Sequence, residues 1–415
     1  MKKVLFTVAL MFGAMTASAQ LSVVKEAKGM MKKDPAAAAQ AIEAALTNPE
    51  TANDPNTWQV AGDIQKVIYD AEYEPYYLAK QGLPAKKNAD KPTMYNSLMK
   101  MFEYYLKCDE LEQAKVASGE LKKAKLRKKN ANTLLAHRNI LFEGGADAYE
   151  QTDYPAAIKF FGMFADVAFS PIFEEKGAEL QADESTSLAA TYAAMGAYFS
   201  EPRNVEAILK YGPIGKNHKA EGYRALQFMV DVYGDKENGD INKKIETLKE
   251  GIEKYPEQEY FVQETANAYL ENGKLDEGLE IINNVINIVE KPYYIYLKGV
   301  FEYEKKDYNS ANATFDKLIA LGGDFTAEAY AMKGNIYFYP AQKIVEENST
   351  LALEDPKYNT NEAKIKEAYE LSQPFYEKAR ELEPDNTTIW GQQLLRVYYK
   401  LNNPKYQDLE KELGY

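Results

Sequence analysis

Residues 145–161 read GADAYEQTDYPAAIKFF, and residues 299–315 read GVFEYEKKDYNSANATF. The two stretches start 154 positions apart and share five landmarks at identical spacings. These are a glycine, an Asp-Tyr pair at the eighth and ninth places after it, an alanine at the twelfth and a phenylalanine at the sixteenth. A spacing that recurs in this way indicates a chain built from repeated structural units.

Three further copies of the pattern lie in the C-terminal part of the chain, and one of them is interrupted. They are Ala266, Tyr269, Gly273, Leu275, Gly278 and Ile282; then Gly334 and Tyr337, resumed after an interruption at Tyr376, Ala379 and Pro384; then Trp390 through Tyr398 to Leu413. The starts at Ala266, Gly299 and Gly334 lie 33 and 35 residues apart. The repeat therefore has a period of about 34 residues, with an insertion at about 340–361.

The small residue, the aromatic three places on, the Gly or Asp-Tyr turn and the later aromatic residue resemble the tetratricopeptide motif. The resemblance implies an all-α fold, a right-handed superhelical solenoid of antiparallel helix pairs. Glycines such as Gly145 and Gly299 would let the second helix of a pair approach the first closely. Phe161 and Phe315 would fill the space between the two helices.

The remaining chain is expected to be helical with weaker repeats. We predict three segments: a leader over 1–19, degenerate helical repeats over 20–136 and tetratricopeptide-like repeats over 137–415. Within the second segment, hydrophobic periodicity predicts helices at 36–46, 57–70, 93–107 and 109–128. Asp109 and Glu112 fit a capping box that begins the last of these. Asp240 is placed to cap a helix after the turn at 234–239.

The first twenty residues have the order of a secretory signal peptide. Lys2 and Lys3 precede an apolar stretch, and Ala17-Ser18-Ala19 precedes Gln20, which predicts cleavage before Gln20. The only cysteine is Cys108, so no lipid anchor has an attachment point after the leader. The sequence therefore predicts an exported protein, with the periplasm as its location and neither a membrane span nor a lipid anchor.

Charge and cysteine content exclude some function classes. The chain has 50 basic and 63 acidic residues, a net charge of −13, and loss of Lys2 and Lys3 would make it −15. Such a field repels the phosphates of nucleic acid. One cysteine cannot form an internal disulfide, so buried apolar surface must stabilise the fold.

No pattern in the sequence indicates catalysis, a metal or a cofactor. His137 and His218 are the only histidines and are 81 positions apart, without partners at metal spacing. Residues 212–217 (GPIGKN) resemble a phosphate-binding loop only faintly, and a helix-terminating loop explains them better. Residues 235–246 resemble a calcium loop whose glycine is one place early. We predict that the protein is not an enzyme and holds no cofactor.

Two segments remain open to a functional or a structural interpretation. The basic run of Lys122, Lys123, Lys125, Arg127, Lys128 and Lys129 is either a solvated helix face or a docking patch for an acidic partner or a membrane. The insertion at 340–361 is expected to form a long loop, which is either functional or tolerated.

The tetratricopeptide resemblance places a partner-binding groove on the first helix of each pair. Carried over by position, its residues are Phe142, Tyr149, Tyr260, Asn267, Tyr293, Tyr296, Tyr303, Asn335, Phe338, Tyr339, Tyr398 and Tyr399, with Ala146, Gln263 and Leu395 beside them. Tyrosines anchor interfaces because they offer a large contact area at low entropic cost. The alternative is that individual tyrosines pack between helices. Lysines of a carboxylate clamp are replaced by Gln263 and Ala331, so a chaperone-tail clamp is not expected.

Two function classes follow from the groove. The first is a periplasmic scaffold or adaptor that binds a partner protein or peptide. The second is a binder of glycans or other small polymers, whose sugar rings would stack on the tyrosines.

Overall fold

A computed structural model describes the backbone of residues 17–415 and the side chains of residues 22–415 except Glu175. Most of the predicted leader therefore lies outside the described residues. The described chain divides into two compact units, an N-terminal unit that ends at Gly239 and a C-terminal unit over Asp240–Tyr415. The predicted division between residues 136 and 137 falls inside a helix, Arg127–Glu150.

The N-terminal unit contains ten α-helices and two short 3-10 segments in its described part. The helices are α1 Ala17–Met30, α2 Pro35–Thr47, α3 Pro55–Lys80, α4 Lys91–Ala117, α5 Arg127–Glu150, α6 Tyr154–Asp166, α7 Gly177–Ala182, α8 Glu184–Phe199, α9 Val205–Gly215 and α10 Gly222–Tyr233. The 3-10 segments are Val167–Phe169 and Pro171–Lys176.

The C-terminal unit contains nine α-helices. They are α11 Ile241–Lys254, α12 Glu259–Glu271, α13 Leu275–Ile288, α14 Pro292–Glu304, α15 Tyr308–Leu321, α16 Thr326–Asn348, α17 Pro356–Leu382, α18 Thr387–Lys400 and α19 Tyr406–Glu412. The predicted cap is confirmed, since the Asp240 carboxylate accepts hydrogen bonds from the backbone N–H groups of Asn242 and Lys243.

Both units are stacks of helix pairs, which confirms the predicted all-α solenoid class. Residues 17–415 contain no β-strand. Within a unit, each helix packs mainly on the next helix or on the one two places along, as α14 does with α15 and α16. Stability of this kind comes from contacts between neighbours and needs no single central core.

The predicted joint between paired helices is present in both of the best-matched repeats. A Cβ atom built on Gly145 would lie 2.7 Å from the Phe161 ring, and one on Gly299 would lie 2.5 Å from the Phe315 ring. Any side chain larger than hydrogen would collide there. Phe315 is fully buried, so the glycine and the phenylalanine together set how closely the two helices approach.

The turn after each first helix also repeats. Thr152, Gly273, Lys306 and Asn402 all have a positive φ, between 53° and 65°. The next residue donates its backbone N–H to a carbonyl five places earlier, as Asp307 does to Glu302 over 3.0 Å. This is the Schellman way of ending a helix. Gly82 ends α3 with the same turn.

The predicted helix start at Asp109 is wrong. Helix α4 continues from Lys91 to Ala117 through that position, and residues 118–126 form the connection to α5. Asp109 and Glu112 are buried in the helix, where Asp109 forms a two-point ion pair with Arg127, at 2.7 and 2.8 Å. Asp109 therefore does not cap a helix, because its carboxylate pairs with Arg127, 18 positions away.

The interruption at 340–361 is helical except for residues 349–355, so the expected long loop is wrong. Helix α16 continues to Asn348, and α17 begins at Pro356, which leaves a short link between them. The joint is nevertheless kept, because a Cβ on Gly334 would lie 2.8 Å from the Tyr376 ring. The inserted residues therefore lengthen both helices of one pair beyond their joint.

Candidate functional site

The predicted groove residues do not all share one surface. Phe142 and Tyr149 belong to the N-terminal unit, and the other ten belong to the C-terminal unit. Phe142 is half-buried and packs on the rings of Phe161 and Phe164, with centroids 5.1 and 5.5 Å away. Tyr149 is half-buried beside Tyr154. In this unit the predicted residues mainly hold neighbouring helices together.

Phe338 and Tyr398 are core residues, and their assignment to an accessible groove is wrong. Phe338 is 2% exposed and stacks on Tyr369 at 5.4 Å. Tyr398 is fully buried, and its hydroxyl donates to Glu377 over 2.6 Å. Both side chains face α17, which follows the helix of Phe338 and precedes the helix of Tyr398.

Tyr293 and Tyr296 are half-buried against a loop residue. Tyr296 stacks on Phe325 with centroids 5.4 Å apart, and Tyr293 lies 5.2 Å from the same ring. Burial, followed by the nearby Glu259 carboxylate, raises the pKa of Tyr293 to about 12. Tyr260 is half-buried and Asn267 is exposed on α12. The structure therefore gives Tyr293 and Tyr296 a packing role.

The predicted residues Tyr303, Asn335 and Tyr339 do come together, with Gln393 of α18. Asn335 accepts a hydrogen bond from the buried Tyr376 hydroxyl over 2.6 Å, and Gln393 donates to the Tyr339 hydroxyl over 3.4 Å. Burial, with the Tyr308 phenol second, raises the pKa of Tyr303, to which Tyr339 also contributes. We call Tyr303, Asn335, Tyr339 and Gln393 the polar ribbon. It crosses α14, α16 and α18 with neutral hydrogen-bonding groups.

A cavity of about 490 Å³ lies between α16, α17, α18 and α19. We call it the C-terminal pocket, and it is lined by Gln342, Val345, Tyr369, Leu395, Arg396, Tyr399, Lys400 and Tyr406. Val345 and Gln342 belong to the part of α16 that the insertion adds. Tyr369 is 3% exposed, whereas Tyr399 is 68% exposed and lies 5.5 Å from the Tyr406 ring. The pocket thus has an apolar interior and an exposed aromatic wall.

Two positively charged side chains, Arg396 and Lys400, line the pocket, and within the described chain only Lys400 is paired with a carboxylate. Lys400 pairs with Glu362 over 2.9 Å. Arg396 is exposed, and among residues 22–415 it has no carboxylate within ion-pair distance. An unpaired guanidinium beside aromatic rings suits a ligand that carries a carboxylate next to an apolar group.

Sequence reasoning identified Tyr399 and Leu395 but missed the other pocket residues. Gln342, Val345 and Tyr369 come from two helices whose contact depends on the lengthened pair. The only sequence signal for them was the excess of residues between Gly334 and Tyr376.

The two histidines and the cysteine have structural surroundings. His137 lies among tyrosine rings, 4.9 Å from the Tyr69 centroid, and burial lowers its pKa. His218 accepts the backbone N–H of Glu221 at the start of α10 over 2.9 Å. Cys108 is fully buried, and burial raises the pKa of its thiol to about 12. A thiol with that pKa is not a nucleophile near neutral pH.

The two loop-like motifs are used for packing and turning. The expectation of a loop at 212–217 is wrong over 212–215, which are helical, and a Cβ on Gly212 would lie 2.6 Å from the Met229 sulfur. At the calcium-like segment, Asp235 accepts the backbone N–H groups of Glu237 and Asn238. No group of three or more metal-binding side chains was found in the described part of the chain.

Among residues 17–415, the helices are too short or too polar to cross a bilayer.

Comparison with known proteins gives weak structural likeness and no relatives by sequence. No protein-family model matches the chain, and no curated protein matches it. The crystal structure of the yeast Tom70 aligns with 95% of this chain and 91% of its own, at 10% identity and a TM-score of 0.28. The P58(IPK) TPR domain aligns over 95% and 99%, at 14% identity and 0.25.

A third solved structure is a monomeric mutant of IFIT1 with Gppp-AAAA. It aligns with 96% of this chain and 91% of its own, at 12% identity and a TM-score of 0.24. At these TM-scores the likeness says nothing about what this chain binds. The tetratricopeptide-like fold rests instead on the repeated joints and turns of the chain itself.

Proposed function

We propose that this protein is a non-enzymatic scaffold or adaptor that binds a segment of a partner protein on its C-terminal unit. The partner chain crosses the polar ribbon and places an apolar side chain, next to a carboxylate, in the C-terminal pocket. The observation that carries this proposal is the juxtaposition of exposed Tyr399 with unpaired Arg396 at the mouth of an apolar cavity.

The exposed aromatic residues explain why the site would bind tightly enough to matter. Tyr339 and Tyr399 are 44% and 68% exposed on successive first helices. Burying a tyrosine removes a large apolar area from water, and its rigid ring loses little entropy. Arg396 adds orientation, because its guanidinium can form two parallel hydrogen bonds to one carboxylate.

The polar ribbon suits a peptide backbone. A backbone in an extended conformation presents both N–H donors and carbonyl acceptors. Gln393 and Asn335 can each donate and accept, and the Gln393 side-chain oxygen is buried without a hydrogen-bond partner among the described residues. A donor from a bound chain would remove that unsatisfied acceptor.

A non-enzymatic role is supported by the surroundings of the residues most suited to catalysis. His218 holds a helix start, His137 lies between tyrosine rings, and Cys108 is buried with a raised thiol pKa. None of the three lines the C-terminal pocket. Replacing them together by Asn, Asn and Ser is expected to leave partner binding within about twofold of the wild type.

A glycan is the second candidate ligand. The Tyr399 and Tyr406 rings, 5.5 Å apart at 55°, provide faces on which sugar rings could stack. The pocket would then bind neutral oligosaccharides, for which Arg396 has no charge to neutralise. Replacement of Arg396 by Gln therefore separates the two candidates: it weakens binding of a carboxylate-bearing peptide and leaves a neutral glycan bound.

Selection from a random peptide library, with the purified protein as the target, tests the proposal. The selected peptides should share an apolar residue beside Asp, Glu or a C-terminal carboxylate. Their affinity should fall at least tenfold for Arg396→Gln and for Tyr399→Ala, on the scale of about 1.4 kcal/mol for each tenfold. Tyr77→Ala, at a tyrosine 48% exposed in the N-terminal unit, is the matched control. Selected peptides that bind all variants equally would reject the site.

We also propose that the protein is exported and acts in the periplasm. The order of basic, apolar and small residues before Gln20 supports this. Protein isolated from the host that makes it should start at about Gln20 and be found in the periplasmic fraction. An intact Met1 in the cytoplasm would contradict the location without affecting the peptide site.

A further inference from the structure

A second charged surface lies in the N-terminal unit, around the connection between α4 and α5. Lys122, Lys123 and Lys125 are in this connection, and Lys128 is in the first turn of α5. All four are exposed, and among residues 22–415 none has a carboxylate within ion-pair distance. We call these four residues the lysine cluster. Its positive charge stands out in a chain of net charge −13.

The backbone that carries the cluster is held in place by buried acidic side chains. Glu112, 3% exposed, accepts the backbone N–H groups of Lys125 and Leu126, over 2.8 Å for the former. Arg127 is fixed by its two bonds to Asp109 and a third, over 3.0 Å, to Glu174. The lysines therefore project from an ordered segment, and a ligand would not have to order the backbone on binding.

A cavity of about 420 Å³ lies beside the cluster, between the start of α5 and the segment at 171–176. Its walls include Leu135, Ile172 and Phe173, and Lys128 and Lys176 lie at its edge. Glu174 is the one acidic residue in the lining, and it pairs with Arg127, which also pairs with Asp109. The cavity therefore has apolar side chains in part of its wall and basic side chains at its edge.

We propose that the lysine cluster and this cavity bind an acidic segment of a partner protein, with one apolar side chain in the cavity. The shape favours a peptide over an anionic membrane. A membrane-binding loop usually presents apolar residues for insertion, whereas Leu121, Ala124 and Leu126 in the 118–126 connection are all half-buried. A cavity with apolar side chains in part of its wall and lysines at its edge instead fits an apolar side chain flanked by carboxylates.

Fluorescence anisotropy of a labelled peptide tests the proposal. The probe is a twelve-residue peptide of Glu and Asp with one central Leu, and its control has Gln and Asn in place of the acids. The full chain should bind the acidic peptide at least about tenfold more tightly than the control, with an affinity that falls as salt rises.

Two sets of lysine substitutions separate the site from the overall charge. Lys→Gln at all four positions of the cluster should weaken binding at least about tenfold. The matched control has the same charge change at exposed lysines outside the cluster, Lys86, Lys236, Lys249 and Lys364, and should stay within about twofold of the wild type. Circular dichroism should be unchanged for both variants, because exposed lysines contribute little to folding.

The cavity itself is tested by Asn132→Asp, which keeps the shape of an exposed lining residue and adds a negative charge. It should weaken the acidic peptide about threefold or more and leave the thermal unfolding midpoint unchanged. Equal affinity for the acidic and amide peptides, or equal loss in both lysine variants, would overturn the proposal. So would sedimentation with anionic phospholipid vesicles that depends on the cluster while the peptide does not bind.

Discussion

Two neighbouring helix pairs of the C-terminal unit have the same kind of joint, a glycine packed against an aromatic ring, but their helices differ in length. Helices α14 and α15 have 13 and 14 residues, whereas α16 and α17 have 23 and 27. Gly299 meets Phe315 in the first pair, and Gly334 meets Tyr376 in the second. A repeat can therefore be lengthened beyond its joint without loss of the joint. The added turns contribute Gln342 and Val345 to the C-terminal pocket.

The joints should give the largest effects on stability. Phe315→Ala and Tyr376→Ala each remove a fully buried ring and should each lower the free energy of unfolding by about 3–5 kcal/mol. Tyr376→Phe keeps the ring and loses the bond to Asn335, so it should cost only about 1 kcal/mol. Urea unfolding followed by circular dichroism measures all three. A small loss of unfolding free energy for either alanine variant would show that the ring in question does not hold its helix pair together.

Tyr296 and Tyr339 should differ, although both were predicted to line the groove. Tyr296→Ala removes the stacking on Phe325 and the contact with Phe315 and should cost about 1–3 kcal/mol of stability. Tyr339→Ala, at an exposed side chain, should cost less than about 1 kcal/mol. The same unfolding assay compares them. Equal costs would mean that Tyr339 is as much a packing residue as Tyr296.

Binding should depend on the lengthened pair more than on the regular one. Tyr399→Ala should weaken a pocket-bound peptide by on the order of 2 kcal/mol, the scale of interface hot spots. Its effect on stability should stay within about 0.5 kcal/mol, because the side chain is exposed. Calorimetric titration gives the affinity. If Asn267→Ala, at the exposed groove position of α12, weakens binding more than Tyr399→Ala, the ligand lies on the regular repeats instead.

The smallest effect on stability concerns the ion pair between Glu362 of α17 and Lys400 of α18, which we call the clasp. The hydrogen bond from Lys400, together with one from Asn348, lowers the pKa of Glu362 from its ordinary value of 4.5. A lowered pKa stabilises the fold above the unfolded-state pKa, and this contribution is lost as the pH falls through the folded-state pKa. Both partners are a third exposed, so Glu362→Gln should cost less than about 1 kcal/mol at pH 7.

Measurement of the same variant at pH 3 provides the control for that prediction. The wild-type carboxyl loses charge as the pH falls toward its folded-state pKa, so the difference between the two proteins should be smaller than at pH 7. A difference of equal size at both pH values would show that the clasp does not act through its charge.

The parts of the fold that sequence could predict depend on residues close together in the chain. Gly299 and Phe315 lie 16 positions apart, and the turn between them has its own signature at Asp307, which caps α15 through the backbone N–H of Ser310. Glycine packing, a Schellman turn and a helix cap all depend on residues within one repeat, so a single repeat is enough to predict its helix–turn–helix structure. The same logic identified Gly334 and Tyr376 across the insertion.

The predictions that were wrong depend on contacts between residues far apart in the chain. The helix start at Asp109 was predicted from a four-residue pattern, but Arg127 and the backbone of residues 125 and 126 use its carboxylates inside a longer helix. Helical spacing also places aromatic residues on two sides of α16 and α18. It cannot say which side packs against a neighbouring helix, and this is why Phe338 and Tyr398 were assigned to the groove instead of the core.

The candidate site was only partly predictable for the same physical reason. Tyr399 and Leu395 share a helix and could be placed by position in the repeat. Tyr369 comes from α17, and its distance from Leu395 in space depends on how far α16 and α17 extend beyond their joint. No local pattern encodes that length, although the interruption at 340–361 indicated that something was added there.

Photo-crosslinking inside the cells that make the protein tests whether a partner polypeptide occupies the C-terminal pocket. A benzophenone amino acid is placed at position 399 in the pocket wall, and separately at Ile288, which is 63% exposed on α13. We expect a polypeptide adduct from position 399, no adduct from position 288, and loss of the first when Arg396→Glu is combined with it. No adduct at 399, or one that persists unchanged with Arg396→Glu, would contradict a partner held in the C-terminal pocket.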